Sequence, residues 1–296
     1  MILYILAALC VAFGAALCHW LGGFAGFAWL WLLPLGALGA FAVCAAAVYA
    51  LLVIACACVD LNKPRQRYSR LFYWLIQIIV QVCFPVLRVR LVTRGLEQRP
   101  RKGRYLLVCN HLHEIDPAVL HRYFPEGDLA FIGKKEVMDM KLVNKTMHAT
   151  LSQFIDREND RQALKTILTC IRLLKEDRCS IAVFPEGGIA DDVKLQHFRP
   201  GVFKIAQKTG VPIVVCTLQG TNKVLPLVRK LKPSRVELHL LGVIQPEEYE
   251  GLRTTELAAR IYRMMYADLP EEYKHPQESG VGTAPESPLA EGLSAD

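Results

Sequence analysis

Apolar and polar positions divide this chain into two unlike parts. From Met1 to Val59 there is no Asp, Glu, Lys or Arg. A stretch this long predicts two helices, Ile2–Trp20 and Ala28–Val59, with a weak interruption at His19-Trp20-Leu21-Gly22-Gly23. A membrane-spanning helix needs about 20 apolar residues, and Trp20, Trp29 and Trp31 suit a membrane–water boundary. A cleaved signal peptide fits less well, because no basic residue precedes the first apolar run and a second run follows it. Residues 71–87 are apolar but interrupted by Gln77 and Gln81 and too short for a third span. They predict an interfacial or half-buried helix ending near Pro85.

From Arg88 the pattern changes to short strands alternating with helices. Strands are predicted at Arg88–Thr93, Tyr105–Cys109, Ser180–Phe184, Val211–Leu218 and Arg235–Ile244. Helices are predicted at Pro117–Phe124, Asp160–Lys175, Gly201–Thr209 and Thr255–Asp268. In Asp160–Lys175 the apolar Ala163, Leu164, Ile167, Leu168, Ile171 and Leu174 share one face. This alternation predicts an α/β fold, a mixed sheet covered by helices and preceded by the transmembrane helical hairpin. From His275 the chain is rich in Pro, Gly, Ser and Glu without periodicity, which reads as disorder. The expected organisation is a hairpin over 1–59, a basic linker and interfacial helix over 60–87, a catalytic domain over 88–274 and a tail over 275–296.

Charge sets an orientation. Eleven Lys or Arg lie between Asp60 and Arg104, against only Asp60 and Glu97. Cytoplasmic flanks of membrane helices are enriched in Lys and Arg, so both ends of the hairpin and the following domain are expected on the cytoplasmic side of an integral membrane protein. The net charge of +7 is concentrated here and suits anionic lipid headgroups. No nucleic-acid-binding signature accompanies it. The ten cysteines include five in the apolar N-terminus and no C-x-x-C pair, so they read as reduced, small apolar residues.

Two motifs follow predicted strands, where α/β proteins usually place their sites. The first is Asn110-His111-Leu112-His113-Glu114-Ile115-Asp116, the second Phe184-Pro185-Glu186-Gly187-Gly188. Continuous helix would set His111 and Asp116 about 140° apart around its axis. Pro117 instead biases Asp116 toward extended geometry and fits a first helical position, so the chain can turn back and bring carboxylate to imidazole. A carboxylate-oriented His is a general base for a hydroxyl proton. By itself Asp116-Pro117 is equally a helix cap, and Pro185-Glu186-Gly187-Gly188 equally a turn. Phe154-Ile155-Asp156-Arg157 can be a surface ion pair or an Arg presented to phosphate. Gly210-Val211-Pro212-Ile213-Val214 can be a turn entering a buried strand.

Taken in order, these four blocks resemble the glycerolipid acyltransferase family whose bacterial type is PlsC, over about residues 88–245. Further similarity lies at Gly133-Lys134-Lys135-Glu136 and at Phe198–Ala206. The resemblance implies an enzyme that moves an acyl chain from acyl-CoA or acyl-carrier protein to the free hydroxyl of a lysophospholipid, most simply 1-acyl-glycerol-3-phosphate. It also implies roles: His111 as base, Asp116 orienting it, Glu186 and Gly187 holding the acceptor, and Arg157 binding its phosphate. Lys134 and Lys135 are secondary phosphate candidates, and amides near Gly187 are candidate oxyanion donors. Direct attack by the hydroxyl needs no enzyme nucleophile or cofactor, and the chain has no Gly-x-Ser-x-Gly elbow. The family pattern continues Thr-Arg-Ser where this chain has Gly188-Ile189-Ala190. The missing Arg leaves Arg157, Lys134, Lys194 and Arg199 as cations able to compensate, or signals a different lysolipid acceptor.

Two other functions compete. His111-x-His113 with Asp116 superficially resembles part of a dinuclear metallohydrolase site, but His121, His148, His197 and His239 fit no ligand pattern. A non-catalytic, membrane-anchored lipid-binding homologue is opposed by the intact His111, Asp116, Glu186 and Gly187.

Overall fold

The computed structural model describes residues 2–22, 24, 27–156 and 159–275. The predicted disorder of the tail falls, beyond His275, outside these residues.

The charge-free N-terminus forms two helices, α1 (Ile2–Trp20) and α2 (Trp29–Ala57), packed against each other as a hairpin. Small residues allow the close approach: Gly36 lies against the Gly14 backbone, and a Cβ on Gly14 would meet the Leu33 carbonyl at 2.7 Å. Large apolar side chains point outward instead, with Trp20 80% and Trp31 79% exposed. Among the described residues, α2 alone is both long and apolar enough to cross a membrane, while α1 is a shorter apolar helix. The next helix, α3 (Arg70–Val86), contacts both. It buries Phe72, Tyr73, Leu75, Gln77, Val80 and Phe84 and leaves Leu71 and Trp74 uncovered. Pro85 sits inside its last turn.

The rest is a seven-stranded sheet with helices around it. The strands are β1 (Val89–Arg94), β2 (Leu106–Cys109), β3 (Ala130–Lys134), β4 (Gln153–Ile155), β5 (Ile181–Val183), β6 (Ile213–Gln219) and β7 (Ser234–Ile244). Their order is β1-β7-β6-β2-β5-β3-β4, with every neighbouring pair parallel except β6 and β7. The mixed α/β sheet expected from the sequence is therefore present. All four residues of β2 are buried, as a parallel strand covered on both faces requires. One face packs Leu106 and Val108 with Ile181, Ile213, Ile261 and Met265, the other Leu107 and Cys109 with Val119, Leu120, Phe131 and Val214.

Around the sheet lie α4 (Asp116–Tyr123), α5 (Lys141–Ala149), α6 (Asp160–Lys175), α7 (Lys204–Thr209), α8 (Val224–Arg229) and α9 (Thr254–Asp268). The bounds of α6 match the prediction, and Asn159 caps its start by accepting the Gln162 N–H at 3.0 Å. Its buried stripe is rotated from the predicted one: Thr166 and Cys170 are covered, and Leu168 is exposed. The sequence did not predict β3, α5, β4 or α8. Gly201–Thr209 is not one helix but a 3-10 turn, Pro200–Phe203, leading into α7. The hairpin meets this domain at a small cluster where Ala55, Cys56 and Val59 pack on Phe72, Leu75 and Ala149.

Candidate active site

β2 and β5 are adjacent and parallel, so the loops after them leave the same sheet edge side by side. The topology thereby joins two motifs that lie 75 residues apart in the chain. At the end of β2, Asn110 continues the ladder with its side chain, accepting the Leu218 N–H at 2.7 Å and donating to the Leu218 carbonyl at 2.9 Å. This amide bridge to β6 fixes the point from which the His111 loop departs.

The loop turns back as expected, but not through an extended Asp116: the helix starts one residue before Pro117. Asp116 is the first residue of α4, Pro117 lies in its first turn, and the carboxylate is fully buried. Asp116 Oδ2 faces His111 Nδ1 at 2.8 Å and accepts the N–H groups of Leu112 at 2.7 Å and His113 at 2.9 Å. Three contacts to one oxygen hold the loop in one shape. With Nδ1 bonded to a carboxylate, Nε2 is the imidazole nitrogen left to accept a proton. The His111 side chain retains 18% exposure.

The second motif supports the first. Gly187 N–H donates to the Phe184 carbonyl at 3.0 Å, and Gly187 has φ +85°, a left-handed conformation suited to glycine. The Glu186 carboxylate accepts the His111 N–H on Oε1 at 2.7 Å and the Gln196 N–H on Oε2 at 2.9 Å. Burial raises Glu186 to about 7, although both hydrogen bonds favour its charged form. The Phe184 ring stacks on the His111 imidazole, with centroids 4.1 Å apart and planes at 15°.

These contacts bear on two expectations. The resemblance implies that Glu186 holds the acceptor, yet each of its oxygens already binds a backbone N–H of the protein. The Gly187 amide, a candidate oxyanion donor, is likewise engaged within its own turn. Lys134 is exposed at the end of β3, and Lys135 pairs with Asp156 at 2.8 Å across the β3–β4 edge. Arg157 lies outside the described residues. Neither the Phe184 stack nor the Asn110 bridge was assigned from sequence. The signal for the stack was a Phe placed directly after β5, where its ring joins the same edge as His111.

Other titratable groups lie around this edge or further from it. His121 is buried beside Phe131, and desolvation holds it down at about 4. His239 pairs with Asp268 at 2.9 Å, and Thr217 also donates to that carboxylate. Cys109 and Cys216, register partners on β2 and β6, are buried thiols pushed up by desolvation. Among the described residues no group of three His, Cys, Asp or Glu side chains is placed to hold a metal ion.

The chain is similar to known proteins. Residues 90–219 match the family model described as Acyltransferase. A 1-acyl-sn-glycerol-3-phosphate acyltransferase of Cocos nucifera is 26% identical over 172 residues, covering 58% of this chain and 56% of that one. The protein of the same name from Salmonella typhimurium is 27% identical over 200 residues, covering 66% of this chain and 80% of its own. Among solved structures, the 1-acyl-sn-glycerophosphate acyltransferase PlsC of Thermotoga maritima is similar with a TM-score of 0.54. That match is at 24% identity and covers 65% of this chain and 76% of PlsC.

Proposed function

For this chain, which is a member of the PlsC-type acyltransferase family, we propose transfer of an acyl group from a thioester donor to the free hydroxyl of a lysophospholipid. The single observation that carries the mechanism is the His111–Asp116 contact at 2.8 Å, between a partly exposed imidazole and a fully buried carboxylate. His111 Nε2 takes the hydroxyl proton as the oxygen attacks the thioester carbonyl. Asp116 keeps the proton on Nδ1 and stabilises the imidazolium that forms. When the tetrahedral intermediate collapses, the imidazolium returns its proton to the leaving thiolate, and no covalent enzyme intermediate is required.

The acceptor we assign is 1-acyl-glycerol-3-phosphate, giving phosphatidic acid, with acyl-CoA or acyl-carrier protein as donor. Arg157 is assigned to the acceptor phosphate, with Lys134 and Lys135 as neighbouring positive charge. Ile189, where the family pattern has Arg, favours a second acceptor class lacking the usual headgroup contact, which is why the substrate is tested directly. The charge-free α1–α2 hairpin, its outward Trp side chains and the basic segment after it support an integral membrane protein with a cytoplasmic catalytic domain.

The test is an acyl-transfer assay on purified protein with a panel of lysolipids, two donors and mass-spectrometric detection. Lysophosphatidic acid as the preferred acceptor supports the assignment, and turnover of other lysolipids alone replaces it. Topology is tested by tags at both ends. Both are protected in sealed right-side-out vesicles if the hairpin spans twice, and a single accessible tag refutes that arrangement.

A further inference from the structure

Four aromatic rings form a row running inward from the proposed base. His111 stacks on Phe184 at 4.1 Å with planes at 15°, and Phe184 lies nearly parallel to Phe131 at 6.2 Å and 18°. Phe131 is in turn tilted against the buried His121 at 5.1 Å. Phe131 belongs to the core on that side of the sheet and Phe184 packs against it, so the row is anchored rather than loosely placed. Nothing in the acceptor-binding roles implied for this motif uses the Phe184 side chain. Its ring nevertheless stacks on one face of the imidazole.

We propose that Phe184 is a positioning residue for His111, holding the ring for attack on the hydroxyl and stabilising the imidazolium against its π-face. The inference rests on the reading of His111 as the base. Two constraints already act on this imidazole: Asp116 fixes its edge at Nδ1, and Glu186 fixes its backbone through the His111 N–H. Of these two contacts only that of Asp116 reaches the ring, and it restrains rotation about the Cβ–ring bond at one atom. A stacked ring blocks that rotation by contact over a face.

The second effect is electrostatic. The face of a phenyl ring is the negative end of its quadrupole, so it attracts a cation placed over it. His111 is neutral before the proton transfer and cationic after it, so this attraction strengthens as the reaction proceeds. An interaction of this kind lowers the barrier instead of tightening substrate binding. The ionisable groups in contact with His111 are Asp116 on its own loop and Glu186 from the loop after β5. His121 stands two rings away and is neutral at physiological pH.

The experiment measures kcat and KM against pH for the full chain in detergent or vesicles, with lysophosphatidic acid and oleoyl-CoA, and with oleoyl-carrier protein in parallel. Phe184→Met keeps apolar bulk and removes the π-face. Phe184→Tyr keeps the face. Phe184→Met is expected to lower kcat about tenfold at unchanged KM and to move the acidic limb of the kcat profile down by about half to one pH unit. Phe184→Tyr is expected to retain both wild-type kcat and the wild-type limb. Repeating Phe184→Met in a Glu186→Gln background removes the Glu186 titration from the profile.

A Phe184→Met variant within twofold of wild type overturns the inference. So does a loss of kcat with no movement of the limb, or a Phe184→Tyr variant as impaired as the Met variant, since each makes the ring only a filler of space. Should Phe184→Met fail to fold, judged by thermal melting, Phe184→Leu takes its place, since it too keeps apolar bulk and removes the π-face. His111→Ala in the same assay keeps the premise separate. Turnover surviving that change removes the base assignment itself, whereas loss there with a normal Phe184→Met variant removes only the role of Phe184.

Discussion

The hairpin and the sheet are written in the same apolar residues and turn them in opposite directions. In β2, Leu106, Leu107, Val108 and Cys109 are wholly covered, because helices lie on both faces of the sheet. In α1 and α2, Tyr4, Trp20, Trp31, Leu35, Leu38 and Val43 stand in the open, while small residues meet at the helix–helix contact. Inside-out packing of this kind is stable where the surroundings are as apolar as the side chains. The sheet carries its own apolar solvent and the hairpin does not. On the function proposed above, labour is divided accordingly: the sheet edge would do the chemistry and the hairpin would set where it is done.

The largest effect that can break this division is at the base. His111→Ala should lower acyl transfer by on the order of a hundred- to ten-thousandfold, while the protein still floats with membranes in a density gradient. Loss of membrane association in that variant would show the two regions to be coupled in a way the structure gives no reason to expect.

Glu186→Gln should come next. The carboxylate accepts two backbone N–H groups, and an amide side chain can accept through only one of its two terminal atoms. Losing a charge-assisted bond worth about 1.5–3 kcal/mol should cost about ten- to a hundredfold in kcat with little change in KM, since the damage is to the His111 loop. The pH dependence has opposite signs for stability and turnover. Burial raises the folded-state value from 4.5 to about 7. The group's contribution to stability is therefore full below about pH 4.5 and lost as pH rises through about 7, where the folded protein must release its proton. Turnover should instead rise through the same window, because the ionised carboxylate is the better acceptor. Melting curves from pH 5 to 8 should show wild type losing ground to Glu186→Gln as pH increases.

Arg157→Lys sharpens the substrate side. An Arg presents a planar fork that matches phosphate oxygens, and Lys cannot reproduce it. The KM for lysophosphatidic acid should rise by about tenfold, with little change for an acceptor lacking phosphate. Unaltered kinetics in both Arg157→Lys and Arg157→Ala would make this residue a surface ion-pair partner. The departure at Ile189 would then mark a change of acceptor.

Much of this was legible along the chain, for reasons that differ by element. The hairpin was readable because a charge-free run of this length has few other meanings. Strands β2, β5 and β6 were readable as continuous apolar runs, and α6 as a period-3.6 pattern. The edge elements were not. Strand β4 has only three residues, β3 carries Gly133 against Met147, and α5 is a nine-residue helix wedged between α2 and the strand edge. Their structure comes from what they pack against, and that information is absent from short windows. The His111–Asp116 contact was expected from the turn at Pro117, although Asp116 makes it from the first residue of the helix and not from extended backbone. The Glu186 bridge was not, because its partners are backbone N–H groups, which nearly every residue carries and no motif identifies.

The smallest effect tests where one region ends and the other begins. The last turn of α2 and the residues just after it belong to both, since Ala55, Cys56 and Val59 seal a cluster formed otherwise by Phe72, Leu75 and Ala149. Cys56 also lies 3.8 Å from the Leu142 carbonyl, which ties this turn to α5. A chain starting at Ile54 keeps the seal and one starting at Leu61 does not. Both lack the exposed apolar surface of the hairpin and should leave the membrane fraction to the same extent. The shorter chain should melt about 3–6 °C below the longer one, as expected for uncovering one or two apolar side chains in a domain of this size. Equal melting temperatures would place the boundary at Val59, where composition alone puts it. A difference of the expected size would place it one turn earlier, inside the helix, with the domain borrowing the end of its own anchor.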